Sequence, residues 1–256
     1  MKKRKHKQRK KKVQKVPSSL KTQIIPAVEK PAGEKPQGES LLRKIPDRFA
    51  TERLNRAISK IMAKQDFESY KEAERFIQEK IIGKNLDEIY EFIDLDSSDE
   101  AQELAYQAME EEDFYKVLEL DNRALELDPD CIDPLMIKTK ISSRSLPEMV
   151  ERGKKVIIRA EDRLGKRYFE ENKGHFWGLV ETRLYMRALD SLVLLLRASG
   201  RTEEAIRQAE KMLELNPDDN QGIRDSLLGM YLETGNLDGA RKLFKKYPSE
   251  YLAVFL

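Results

Sequence analysis

The sequence predicts an all-α chain whose helices stack as antiparallel pairs. Three observations carry that expectation. Apolar residues after Pro46 recur at the three-and-four spacing of amphipathic helices, with no sustained alternation of β-branched residues. Helix-start signals, a serine followed three residues later by glutamate, punctuate the chain at Ser69 with Glu72, Ser97 with Glu100 and Ser145 with Glu148. A spacing of small and apolar residues ahead of Pro129 returns ahead of Pro217.

Along the chain, residues 1–46 hold five of the ten prolines, lack periodicity and are expected to be a disordered Lys/Pro-rich tail. Residues 47–96 are expected to form N-terminal helices. The first runs from Phe49 to Ala63, with Leu54, Ile58, Ile61 and Met62 at helical spacing; a second follows Ser69, and Asn85 caps a short third reaching Ile93. Residues 97–256 carry the repeating pattern, interrupted by an insertion at about 165–180. Gly200 and Gly235 stand where turns between paired helices are needed.

The repeat is tested by arithmetic. In tetratricopeptide units, small or apolar residues at positions 4, 7, 8, 11, 20, 24 and 27 close helix A on helix B, and proline takes position 32. With Pro217 at that place, those positions fall on Leu189, Leu192, Val193, Leu196, Ala205, Ala209 and Met212, all apolar. With Pro129 there, they fall on Ala101, Leu104, Ala105, Ala108, Val117, Asp121 and Ala124, and Asp121 alone departs. A third unit aligns Leu227, Leu228, Tyr231, Ala240, Phe244 and Tyr247, with Arg224 at the first place. Residues 130–164 supply a degenerate helix pair between the first two. The expected fold is therefore a tetratricopeptide-like helical solenoid with a disordered basic N-terminal tail. Such units bury their apolar faces only against neighbours, and the resulting surface usually docks other proteins.

The insertion leads into GHFWGLVETRLYMRA at 174–188, and the Pro217 unit ends in LNPDDNQGIR at 215–224. Together these motifs resemble the tetratricopeptide proteins related to suppressor of tumorigenicity 7, in particular their soluble bacterial-type members, over roughly residues 97–247. The family pattern has proline after Glu-Thr-Arg, and tyrosine and leucine after Asn-Gln-Gly-Ile-Arg; here Leu184, Asp225 and Ser226 stand instead. The resemblance implies an α-helical scaffold and no particular reaction.

Charge is distributed unevenly. Residues 1–48 hold 16 Lys or Arg against 4 Asp or Glu, a balance of +12, and the other 208 hold 32 against 42, a balance of −10. Lys2, Lys3, Arg4, Lys5, Lys7, Arg9, Lys10, Lys11 and Lys12 form a polybasic run suited to RNA, DNA or another polyanion, without the interleaved aromatics that base stacking needs. Cys131 is the single cysteine, so internal disulfides and CxxC sites are excluded. The basic start is followed by no apolar leader, no run is long enough to span a bilayer, and a cytoplasmic setting is expected.

The most chemically dense group is His175, Trp177, Glu181, Arg183 and Arg187, joined by Asn220, Gln221 and Arg224. Arg183 and Arg187 share one helix face, and Asn220 and Arg224 another. If the two faces meet, they make either a polar pocket for a carboxylate or phosphate, or a structural network that pins the insertion in place. Catalytic residues, metal ligands and cofactors are not expected. Gln102, Glu103, Tyr106, Asp190, Ser191, Leu194, Asp225 and Gly229 fall at groove-facing positions; their acidic and neutral character favours a basic or mixed peptide. The apolar end, Tyr251 to Leu256, is expected to cover the last groove or to join another chain. Three functions follow: a non-catalytic protein–protein interaction scaffold; a nucleic-acid-associated protein acting through the tail; or an enzyme or small-anion-binding protein using residues 175–187 and 220–224.

Overall fold

The computed structural model describes residues 49–65 and 67–248. The basic tail, with its polyanion-contacting lysines and arginines, and the apolar end lie outside them. Within the described residues every regular element is a helix. Three precede the repeat pattern: α1 (Ala50–Ala63), α2 (Tyr70–Lys80) and α3 (Leu86–Tyr90). Then come α4 (Ser97–Glu110), α5 (Phe114–Leu127), α6 (Ile132–Ser142), α7 (Leu146–Leu164) and the short α8 (Lys166–Glu171). The chain continues through α9 (Val180–Ala198), α10 (Thr202–Leu215), α11 (Ile223–Glu233) and α12 (Leu237–Lys246). None is long and apolar enough to cross a membrane.

Local chemistry sets the helix starts. Ser69 and Ser145 each accept the N–H three residues on, from Glu72 and Glu148, at 3.3 Å. The two glutamates reach back one residue beyond the cap, to the N–H groups of Glu68 and Arg144. Asn85 and Glu88 form the full reciprocal box expected of a capped short helix, at 2.7 and 3.0 Å. At α4 the cap is Asp96, one residue ahead of the expected Ser97. Its carboxylate accepts from the N–H groups of Ser98 and Asp99, while Asp99 accepts from the Asp96 N–H. A carboxylate at this place also meets the positive end of the helix dipole, an advantage a hydroxyl lacks. Gly200 and Gly235 end α9 and α11 at φ of 74° and 72°, a region costing a residue with Cβ about 1–2 kcal/mol.

Packing follows the chain in pairs. Helix α4 lies on α5, α6 on α7, α9 on α10 and α11 on α12, and the second helix of each pair also meets the first of the next. The insertion, α8 and the turn after it, sits between α7 and α9. One apolar core runs through α6, α7, α9, α10, α11 and α12. All seven apolar positions aligned on Pro217, Leu189 to Met212, are buried in it. Gly239 permits the closest of these approaches: a Cβ there would stand 2.8 Å from the Tyr231 ring. Ala101, Ala105, Ala124 and Cys131 form a smaller core between α4, α5 and the start of α6.

Asp121, the misfit of the Pro129 unit, is inside as well. It is only 3% exposed, and neither carboxylate oxygen has a hydrogen-bond partner among the described residues. Burial, reinforced by neighbouring Asp133, pushes its pKa up to about 7. The folded chain therefore keeps a proton between about pH 4 and pH 7 that the unfolded chain has already released, and stability falls as pH rises through that window.

Two substitutions separate these effects. Leu189→Ala should destabilise by about 2–5 kcal/mol at any pH, because it opens a cavity in the core. Asp121→Ala should raise the thermal midpoint at pH 8 by at least about 3 °C and much less at pH 5, as followed by far-UV circular dichroism. A pH-independent Asp121→Ala effect would contradict the raised pKa.

Candidate functional site

The site forms where side chains of α1, α4, α6 and α9 meet. Arg187, on the inner side of α9, is its centre. Its Nη1 donates to both oxygens of Glu52 on α1, at 2.8 and 2.9 Å. Nε and Nη2 donate to the two oxygens of Asp133 on α6, at 3.1 and 2.7 Å. Both carboxylates are buried, at 6% and 6% exposure. Burial opposes charge on Arg187, but Asp133 and then Glu52 outweigh it and hold the guanidinium more firmly protonated than in water.

Neighbours satisfy the remaining valences of this cluster. The Tyr106 hydroxyl donates to Glu52 at 2.8 Å, and the Gln102 amide donates to Asp133 at 2.9 Å. The rings of Phe49 and Tyr106 stack with centroids 5.1 Å apart, and the Arg187 guanidinium lies over both. Arg183, one turn earlier on α9, donates Nε to the Trp177 carbonyl at 2.9 Å and covers the Trp177 ring. Its Nη1 stands 3.8 Å from Glu52. Thus Trp177, Arg183 and Arg187 come together around one carboxylate that belongs to the chain itself. Arg187 and Arg183 balance Glu52 and Asp133 in formal charge, so an ionised Asp121 beside Asp133 would leave the cluster one negative charge in excess.

The second motif is organised separately. Asp219, at the left-handed φ of 50°, accepts the Ile223 and Arg224 N–H groups at 2.8 and 3.0 Å and so starts α11. Arg224 donates Nε to the same carboxylate at 2.7 Å and lies 4.4 Å from the Tyr247 ring centre. Gln221 spans the two motifs, donating to the Met186 carbonyl at 3.3 Å. Asn220 is exposed. His175 is exposed too and shapes its turn through backbone bonds with Asn172 and Gly178. Glu181, on the first turn of α9, is exposed at the rim of a cavity.

That cavity, about 170 Å³, is lined by Arg56, Gln102, Cys131, Arg163, Glu181 and Tyr185, among others. Two of its cations are committed: Arg56 to Asp99 at 3.0 Å and Arg163 to Asp128 at 2.7 Å. Cys131 is buried here, and burial, then Asp133 and Asp128, pushes its thiol up to about 12. Among the described residues no three His, Cys, Asp or Glu side chains gather as a metal site would require.

The sequence had singled out the arginines; Glu52 and Asp133 were missed. Glu52 lies on a stripe of α1 with Phe49, Arg53, Arg56 and Lys60, spaced three or four residues apart. A charged stripe at core spacing on a helix that also has an apolar stripe was the available signal.

Arg187→Ala should cost about 3–5 kcal/mol, since it leaves two carboxylates buried without their cation. Arg224→Ala should cost less, about 1–2 kcal/mol, because Asp219 keeps two backbone donors. Thermal unfolding of both variants checks the order, and equal losses would contradict it. Alkylation of native Cys131 by iodoacetamide at pH 8 should be far slower than in the urea-unfolded chain, read by mass spectrometry; equal rates would mean an accessible thiolate.

No family model matches this chain, and neither the curated proteins nor the solved structures provide a match.

Proposed function

We propose that the chain is a non-catalytic protein–protein interaction scaffold, a tetratricopeptide-like solenoid related to the suppressor of tumorigenicity 7 family. The observation that carries this reading is the packing order of the helices. Pairs α4/α5, α6/α7, α9/α10 and α11/α12 follow one another, each second helix touching the first helix of the next pair. That is the contact scheme of a stacked repeat. The first helices of the pairs then line one inner face, on which Asp190, Ser191, Leu194, Asp225 and Gly229 are exposed or half-exposed. Leu194 is 56% exposed on this face, where Lys140 donates to Ser191. Such a surface fits a peptide of basic or mixed character with an apolar anchor.

A second reading is favoured by the charge balance of +12 over residues 1–48. In it the basic tail binds RNA or DNA by counterion release and the helical body supports it. The third reading, a small-anion site or enzyme, is weakened by the commitment of Arg187, Arg183 and Arg224 to carboxylates of the chain itself.

Affinity purification from native lysate separates the first two, using the full chain and a version lacking residues 1–48, each with and without RNase. Partners that survive both treatments are expected for a scaffold. Loss of all partners under either treatment would make nucleic-acid association the main activity.

A further inference from the structure

Helix α1 has two working faces. Leu54, Ala57, Ile58 and Ile61 join Ile81, Ile89 and Ile93 in an apolar cluster made, among the described residues, by α1 to α3 and the segment that follows. No member of that cluster belongs to either core of α4 to α12. The other face lies on the repeat body and is ionic. Glu52 meets Arg187 and Arg183, and Arg53 meets Glu103 at 3.2 Å. Arg56 meets Asp99 at 3.0 Å, and Lys60 meets both Asp99 and Asp96. The Tyr90 hydroxyl adds a bond to Glu103 at 2.6 Å.

An interface built this way behaves unlike an apolar one. The attraction between its charges is largely offset by the cost of removing them from water, and salt weakens the more exposed Lys60–Asp96 pair most. The tether through residues 91–96 supplies the rest, because a short link holds its two ends at an effective concentration on the order of millimolar. The groove positions that α1 covers, Gln102, Glu103 and Tyr106, are the ones the repeat pattern assigns to ligand contact.

We propose that α1 is a ligand bound in cis, and that the surface beneath it is a docking site for an amphipathic helix of a partner protein. Arg183, Arg187 and Tyr106 take a carboxylate near the start of that helix. Glu103, Asp99 and Asp96 take basic side chains one, four and eight residues later, the pattern set by Glu52, Arg53, Arg56 and Lys60. The proposal rests on the scaffold reading and names its partner class. A partner competes with the tether: if α1 is lifted in about 1–10% of molecules, apparent affinity is about 10- to 100-fold weaker than that of the bare site.

The test uses the full chain and a fluorescent peptide of residues 49–65. Glu52→Gln in the chain, which loosens the cis helix, should strengthen peptide binding about tenfold or more over wild type at low salt. A peptide that itself carries Glu52→Gln should lose that gain. Equal binding by both chains, or none by either, overturns the proposal. Because a change at a buried residue also disturbs folding, wild type gives a second readout. Amide exchange over 50–63 should accelerate about tenfold between about 50 and about 500 mM KCl while α9 and α10 stay unchanged. Protection of α1 equal to that of α9 at both salts overturns it. Lysate partners retained by a chain whose α1 stays protected would sink this inference and spare the scaffold reading. Salt-released α1 and peptide uptake, in a chain whose lysate partners all vanish with RNase, would sink the scaffold reading instead.

Discussion

Neutralising one buried guanidinium is the constraint on which the arrangement depends. Arg187 stands on the face of α9 turned toward Glu52 and Asp133, its side chain only 20% exposed, and those carboxylates hold its charge there. A buried cation without partners is far costlier than any single helix contact, and only bidentate carboxylates satisfy a guanidinium fork from two sides. Asp133 and Glu52 meet that need from positions 54 and 135 residues away. The first ties α6 to α9; the second ties α1 to α9.

The body therefore joins two kinds of interface. From α6 to α12 the helices are welded by leucine, alanine and methionine at repeat spacing, where burying each large side chain contributes roughly 1.5–3 kcal/mol. Between α1 and α4 the contacts are charged apart from the Phe49–Tyr106 stack, and the gains of the charged ones nearly cancel against desolvation. Asp121 marks where the two regimes meet: a position that repeat packing wants apolar, placed beside Asp133 of the ionic cluster. Its pKa is raised first by its burial and then by the Asp133 charge.

Much of this was legible in the sequence, for a physical reason. Leu189, Leu196 and Ala205 lie on the buried faces of amphipathic helices, and helical spacing of apolar residues is a local pattern. The same holds for Asn85 with Glu88, whose reciprocal bonds span three residues. Asp96 displaced the expected cap Ser97 because two adjacent residues both qualify and only the pairing with Asp99 decides between them. Asp121 was visible as a misfit but its raised pKa was not, since that depends on its burial and then on Asp133 from another helix. Arg183 and Arg187 stood out as a pair, whereas their partners did not: nothing near residue 52 indicates that its carboxylate meets a helix beginning at Val180.

That separation has a consequence in time. A ribosome adding about 5–20 residues per second makes the 135 residues between Glu52 and Arg187 in roughly 7–27 s. Throughout that interval Glu52 exists without its cation. The group that waits is Glu52, which water solvates well, while Arg53, Arg56 and Lys60 find Glu103, Asp99 and Asp96, and the apolar face finds Ile81, Ile89 and Ile93, within the next few dozen residues. The late-closing contact is thus the one that tolerates delay. An apolar stripe in its place would have been exposed to every other nascent chain for the whole of that wait.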